Sequence, residues 1–451
     1  MKVISSKLKL PYSQKLINFG KYFLISLTLL LGLHLVAHAN NPEVIIQPEW
    51  TADLRADTPL ITNGEQVFVI EDVKDRIEPK DRSATLFAIN TASGKVQWRQ
   101  KLPFRQSFGS RQLILENGTI YASHDDGVTG FNLKTGFPKT SFKYTNINSS
   151  DSRDRLIGIH QDIVVYGDST PIDKSDLSRT EYQTKVFGIT KNKTIWSYQL
   201  PNNGLIGGIS PIAPVVQNGI LFLPSRHNTT AGGVEQFTVM DVASGKVLWT
   251  WRTPRKPDDL GSRSNVVGDT LFYTSVIDNS KMQPAERLRA IDLKTGEEKW
   301  SCDITDQNNW QIKAVSDREV LVWESKDNVN GKFVVLEKET GRFLRRFTVS
   351  LGYGLEPQTL TWADGLVYIE ALETENETVD FFGPVRKSWL GAFDDQTGKL
   401  VWRTSTLLNS SIDYPPVVSM VADKPEKKRL IFASNFLRTE GSSKVQSFII
   451  P

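Results

Sequence analysis

The chain has 451 residues, 39% of them hydrophobic and 23% charged, a balance that suits a folded soluble protein rather than a disordered or membrane-embedded one. Its 54 basic and 51 acidic residues leave a formal net charge of +3, scattered along the sequence. No basic field points to nucleic acid and no acidic block points to a tail.

In chain order, residues 1–39 read as a signal peptide. Lys2, Lys7, Lys9, Lys15 and Lys21 precede a mostly apolar run from Tyr22 to Ala37, and Ala37-His38-Ala39 is a small-x-small cleavage site. The run is short for a membrane span of about 20 residues, so no transmembrane segment is expected after cleavage; an uncleaved anchor is the alternative. No twin-arginine pair precedes the run and no cysteine lies near the cleavage site. The expectation is an exported chain, periplasmic or extracellular and not a lipoprotein. Cys302 is the single cysteine, so no intrachain disulfide can form, and it reads as a small strand residue just after Trp300.

Residues 40–451 are expected to form one domain, because the sequence repeats itself. Clear copies start at Leu86, Phe237, Leu288 and Leu390, and weaker ones at Val128, Val186 and Phe333. Each opens on a short strand carrying Ala88, Gly130, Gly188, Val239, Ala290, Val335 or Ala392, with apolar neighbours, which predicts burial on both faces. A turn follows. Asn90, Asn132, Asp241, Asp292 and Asp394 are placed to accept hydrogen bonds from turn amides, while Gly94, Gly136, Gly245, Gly296, Gly341 and Gly398 suit a positive φ; Asn192 stands in for glycine in the third copy. Four residues beyond come Trp98, Trp196, Trp249, Trp300 and Trp402, each large enough to cover one sheet and pack on the next. Copies two and six are expected to use Phe142 and Phe347 instead, leaving less well filled junctions.

Another β-branched or aromatic strand precedes every copy, and several follow hairpin signals, Asn117-Gly118, Asn218-Gly219 and Asp364-Gly365. Periods of roughly 42 to 57 residues with four short strands each fit propeller blades and exclude helical solenoids. Near the C-terminus a second and a third strand occur without a fourth, whereas Val44 to Leu54 carries Trp50 without a third strand. The pieces are complementary. The expected fold is all-β: an eight-bladed β-propeller of four-stranded antiparallel blades, monomeric, whose N-terminal strand completes the C-terminal blade and closes the ring.

The run Ala290-Ile291-Asp292-Leu293-Lys294-Thr295-Gly296 onward to Trp300 resembles the tryptophan-docking repeat of pyrroloquinoline-quinone-type propellers, and the resemblance covers nearly the whole mature chain. Two branches of that superfamily imply different functions: quinoprotein dehydrogenases are enzymes, and the outer-membrane assembly lipoproteins of the BamB type are scaffolds. The enzyme branch implies a stacked quinone (PQQ), a calcium ion on carboxylate and amide oxygens, and often a vicinal disulfide. The single cysteine excludes the last feature. Asp125, Asp126, Glu370 and Glu373 read as solvated loop charges, and His124, His160 and His227 have no metal-ligand spacing. No catalytic constellation, metal, PQQ or calcium is therefore expected. The scaffold branch is preferred, with an extracellular ligand-binding propeller and a quinone-dependent dehydrogenase as alternatives, although the missing lipobox cysteine and an arginine-free Gly204–Ser210 segment depart from the BamB pattern.

Length variation supplies the expected partner surface. The connections at Glu71–Ala84, Gly167–Thr184, Pro224–Gln236, Ser275–Arg287 and Glu370–Ser388 read as long loops on one face, carrying Arg76, Tyr182, Arg226, Met282 and Phe382 toward a protein partner. Asn117, Asn148, Asn192, Asn228, Asn376 and Asn409 begin N-x-Ser/Thr sequons, relevant where the host glycosylates exported chains.

Overall fold

The computed structural model describes residues 44–450 except 74–82, 104–111, 125–126, 145–154, 172–181, 192, 201–213, 230–231, 253–263, 279–284, 305–308, 326–330, 350–358, 374–378, 381–382, 385–386, 409, 422–423 and 437–442. Residues from Ile45 onward form one compact unit; of the stretch before it Val44 alone is described. The signal-peptide reading thus lies outside the described residues, as do Asn192 and the Gly204–Ser210 segment.

The described residues form strands and turns and no helix. Blade 1 consists of Ile61–Thr62, Gln66–Val73, Ser83–Asn90 and Val96–Leu102, and blade 2 of Leu113–Glu116, Thr119–His124, Gly127–Asn132 and Pro138–Lys143. Blade 3 is Arg155–His160, Ile163–Pro171, Tyr182–Thr190 and Lys193–Gln199; blade 4 is Val215–Gln217, Ile220–Thr229, Gly232–Asp241 and Val247–Arg252. Blade 5 is Ser264–Val267, Thr270–Asp278, Ala285–Asp292 and Glu298–Ile304; blade 6 is Asn309–Val315, Glu319–Ser325, Gly331–Glu337 and Phe343–Phe347. Blade 7 uses Leu360–Ala363, Leu366–Glu373, Lys387–Asp394 and Leu400–Thr404. Blade 8 uses Val417–Val421, Lys424–Phe436 and Lys444–Ile450, with Trp50–Ala52 as its outer strand.

Second and third strands are buried on both faces, as in Val67, Phe68, Val69 and Ile70, all fully buried, because each sheet is covered by its two neighbours. The core is accordingly divided into eight apolar layers, one per junction, from Phe68, Leu86 and Ala88 against Ile120, Ala122 and Phe131 between blades 1 and 2, round to Val67, Phe87 and Ile89 against Ile431, Ala433 and Val445 between blades 1 and 8. That last layer makes the assembly a ring.

Closure follows the expectation and adds to it. Trp50 pairs with Ser447, Thr51 with Gln446 and Ala52 with Val445, antiparallel. Arg429, nearly buried, binds the Glu49 carboxylate through Nε at 2.8 Å and Nη2 at 3.1 Å. Asn435 donates to the Ala56 carbonyl and to Asp413, and accepts from the Ala56 amide. Unforeseen in the sequence, Ile45–Ile46 runs parallel to Arg403–Thr404 of blade 7, so the same arm spans two blades before entering the first.

The repeated turn and the tryptophan form one device. The turn glycines have φ between +67° and +78°, and the amides of Ser93, Thr135, Ser244, Thr295 and Thr397 donate to the side chains of Asn90, Asn132, Asp241, Asp292 and Asp394. In blades 1 to 7 the outer strand then bulges one residue before the docking position, as where Ala88 pairs Trp98 and Ile89 pairs Val96. A bulge of this kind re-aims the next side chain. Trp98 donates its indole N–H to the Leu133 carbonyl in the turn of blade 2, and Trp196, Trp249, Trp300 and Trp50 do the same to Val242, Leu293, Lys338 and Thr91 of their following blades at 2.7–3.0 Å. Each ring lies on the turn glycine it reaches, so close that a Cβ added at Gly94 or Gly136 would fall 2.6 Å from Trp50 or Trp98. Glycine is therefore required twice, by φ and by the ring above it.

Three junctions depart from this rule; in two of them Phe142 and Phe347 pack into the junction as expected but not at the docking position. The residue paired where tryptophan would stand is Thr140 in blade 2 and Arg345 in blade 6; Phe142 and Phe347 lie two residues beyond it. Those junctions are nonetheless filled. Tyr144, Tyr166 and Phe187 stack at 4.4 and 5.0 Å between blades 2 and 3, and Phe333 stacks on Phe347 at 5.2 Å between blades 6 and 7. Trp402 keeps its position but not its bond: blade 8 has no third-to-fourth turn, and the buried indole N–H has no partner among the described residues.

Candidate interaction face

In an antiparallel meander successive connections alternate between the two ends of a blade. The first-to-second and third-to-fourth turns therefore share one face, and the second-to-third hairpins share the other with the crossings between blades. The first face is taken up with docking. At Asn117-Gly118, Asn218-Gly219 and Asp364-Gly365 both central residues have positive φ, the two-residue turn whose twist matches the strands.

On the opposite face the described ends of the expected long loops are paired stems. In blade 4 pairing continues from Ile220↔Asp241 to Thr229↔Gly232, so Pro224–Gln236 is strand apart from residues 230–231, and Arg226 sits opposite Glu235. In blade 3 pairing runs out to Pro171↔Tyr182, in blade 5 to Asp278↔Ala285, in blade 1 to Val73↔Ser83 and in blade 7 to Glu373↔Lys387. Blade 7 also carries a small hairpin, Val379–Asp380 with Gly383–Pro384. Of the expected contact residues, Tyr182 and Arg226 are placed at stem positions by their backbones, whereas Arg76, Met282 and Phe382 lie outside the described residues.

Polar sequence made these stems look like loops. Ser169, Thr184, Ser225, Gln236, Glu324 and Ser388 are all buried. Ser169 meets Thr184 at 2.9 Å, Gln236 donates to Thr238 at 3.0 Å, and Glu324 accepts from Trp310 while pairing with Arg346 at 3.0 Å. Such burial is tolerated where the polar group finds a partner, across the hairpin for Ser169, along its own strand for Gln236 and on two other strands of its blade for Glu324. Glu370 is likewise corrected from a loop charge to a paired strand residue whose carboxylate accepts the Ile412 amide at 3.3 Å. Asp125 and Asp126 lie outside the described residues.

His124 Nε2 lies 3.0 Å from the Thr129 hydroxyl; among the described residues no three of His, Cys, Asp and Glu converge as a metal site, and one cysteine cannot make a vicinal disulfide. Among the described residues no donor set for a calcium-bound quinone is brought together. Burial first, and the Asp303 carboxylate second, push the Cys302 thiol up, so it is a poor nucleophile at neutral pH. No helix among the described residues is long and apolar enough to cross a membrane.

The family model described as outer membrane protein assembly factor BamB matches residues 47–169, 177–318 and 284–434. No curated protein matches the sequence. Among solved structures, a quinohemoprotein alcohol dehydrogenase from Pseudomonas putida is 11% identical, with 89% of this chain and 76% of that one covered at a TM-score of 0.48. The WD40 domain of SCAP from fission yeast is 10% identical over 90% and 98% of the chains at 0.46. The dihydro-heme d1 dehydrogenase NirN is 11% identical over 91% and 81% at 0.47. Overlays this loose carry no argument about activity.

Proposed function

Since the chain belongs to the family of the outer membrane protein assembly factor BamB, we propose that it is an exported, non-catalytic scaffold of the cell envelope that serves outer-membrane-protein assembly by holding a protein partner on its hairpin face. The observation that carries this reading is the division of labour between the faces. Docking and tight turns occupy one, while the second-to-third hairpins of blades 1, 3, 4, 5 and 7 open on the other, with connections of varied length. A rigid ring presenting variable hairpins is a common recognition surface.

The test is capture of an envelope partner by the tagged mature chain, compared with a variant lacking residues 172–181 and 374–386. Wider excision between Gly167 and Thr184 or between Glu370 and Ser388 would remove buried Thr184, Asp168 and Ala371, so the cuts stay beyond the blade stems and take with them only the small Val379–Asp380 and Gly383–Pro384 hairpin. Melting should fall by no more than about 2–4 °C, with capture lost. Capture that survives both excisions and disappears on changing the tight-turn face would refute the reading. Saturable dye reduction with alcohols or sugars plus added quinone and calcium would instead favour the dehydrogenase alternative.

A further inference from the structure

The docking bonds divide the blades unequally. Among the described residues, indole-to-turn bonds cross the junctions 8–1, 1–2, 3–4, 4–5 and 5–6. Every blade but the seventh has such a bond on at least one side. At the 6–7 junction Arg345 takes the docking position, and its Nε donates at 3.0 Å to the Asp395 carbonyl, the same backbone site that the indoles use elsewhere. Its other nitrogens bind both Glu319 oxygens at 2.7 and 3.0 Å and the Asp395 carboxylate at 3.1 Å. Trp362 also donates to that carboxylate, at 2.8 Å. At the 7–8 junction the buried Trp402 indole N–H and Tyr368 hydroxyl have no partners among the described residues.

Both seams of blade 7 keep an apolar layer, but at the docking position blade 7 is held by charge on one side and by rings with unspent donors on the other. A largely buried ion network offsets its attraction with desolvation, and an unmade buried hydrogen bond is a direct loss. Both weaken these seams relative to an indole that packs on glycine and satisfies a carbonyl. The parallel pairing at Ile45–Ile46 braces the outer strand over two residue pairs.

We infer that blade 7 is a separately opening unit of the ring, latched to blade 6 by Arg345 and strapped at its outer edge by Ile45–Ile46. Opening would loosen the Glu373↔Lys387 end of the blade 7 hairpin stem while the indole-docked blades stay closed. The inference holds whether or not that hairpin binds a partner.

Native-state hydrogen exchange of the full mature chain, resolved by peptide mass spectrometry, tests it. Amides of Leu366–Glu373 and Lys387–Asp394 should exchange about tenfold or more faster than those of Thr270–Asp278 and Ala285–Asp292 in blade 5. Arg345→Lys, which keeps the charge but loses the fork, should speed exchange in blade 7 and leave blades 3 to 5 unchanged. Trp402→Phe should change little, since its N–H has no bond to lose, whereas Trp249→Phe should speed exchange in blades 4 and 5. Equal protection of blades 5 and 7 in the unaltered chain would overturn the inference, as would uniform acceleration of the whole ring by Arg345→Lys. Should that variant fail to fold, the comparison within the unaltered chain and the two tryptophan variants decide.

Discussion

A double-mutant cycle on Trp50 and Gly94 tests both ring closure and the docking rule. Gly94 has a φ of +68°, and a Cβ there would meet the Trp50 ring at 2.6 Å. Gly94→Ala should therefore incur a left-handed backbone penalty of about 1–2 kcal/mol and overpacking of about 1–3 kcal/mol. Trp50→Ala removes a half-buried ring and the 2.7 Å bond to the Thr91 carbonyl, which should cost about 2–4 kcal/mol. With the ring gone the overpacking vanishes, so the double variant should be more stable than the sum of the two changes by about 1–3 kcal/mol. Gly64→Ala is the control: its φ is +94° but nothing lies within 4 Å of the added Cβ, so it should show no coupling to Trp50. Urea unfolding of the six proteins, followed by far-ultraviolet circular dichroism, supplies the free energies. Additivity within about 0.5 kcal/mol for Trp50 and Gly94 would mean that the ring does not lie on this turn, and the docking account of the recurrent tryptophans would fall with it.

Two further outcomes follow from the titrating groups. The Asp241 and Asp394 carboxyls are held below the usual carboxylate range, chiefly by the Ser244 and Thr397 hydroxyls, and at Asp292 partial burial acts upward but the Thr295 and Lys294 amides outweigh it. Depressed folded-state values stabilise the fold above the unfolded value near 3.8 and lose that contribution as pH falls through the folded ones. Replacing all three by asparagine, as blades 1 and 2 already have at Asn90 and Asn132, should preserve melting at pH 7 and flatten its decline below about pH 4; a decline as steep as before would contradict this. Cys302, its thiol pushed up, should react with iodoacetamide more slowly than a free cysteine at pH 7.5 and catch up only in strongly alkaline solution, whereas parity with free cysteine near neutrality would place the side chain in a different environment.

The architecture was legible because it rests on local rules repeated many times. Positive-φ glycines, Asx acceptors and the tryptophan four residues on each require a particular residue at a fixed spacing, and seven copies of a weak signal make a strong one. Ring closure was legible for the same reason, since a strand without a partner and a partner without a strand are both visible in one dimension. The candidate face was less so. Ser225, Arg226, His227 and Asn228 have the composition of a loop, yet their backbones pair to Thr229↔Gly232, because backbone hydrogen bonding across a hairpin does not depend on apolar side chains once the register has been set below.

The identity of the docking residue lay beyond sequence spacing altogether. Phe142 and Phe347 are the aromatic residues nearest the expected place and do pack into their junctions, but a one-residue bulge decides which side chain stands at the docking position over the next turn, and it selects Thr140 and Arg345. Whether an indole that reaches that position finds an acceptor depends on a turn in another blade, about 40 residues away along the chain for the docked tryptophans and absent for Trp402. By itself the sequence determined the repeat, the ring and its closure, since these follow from contacts within a blade and from the count of strands. Only the tertiary structure decided which junctions are sealed by indoles and which by charge, because that depends on register and on partners from neighbouring sheets.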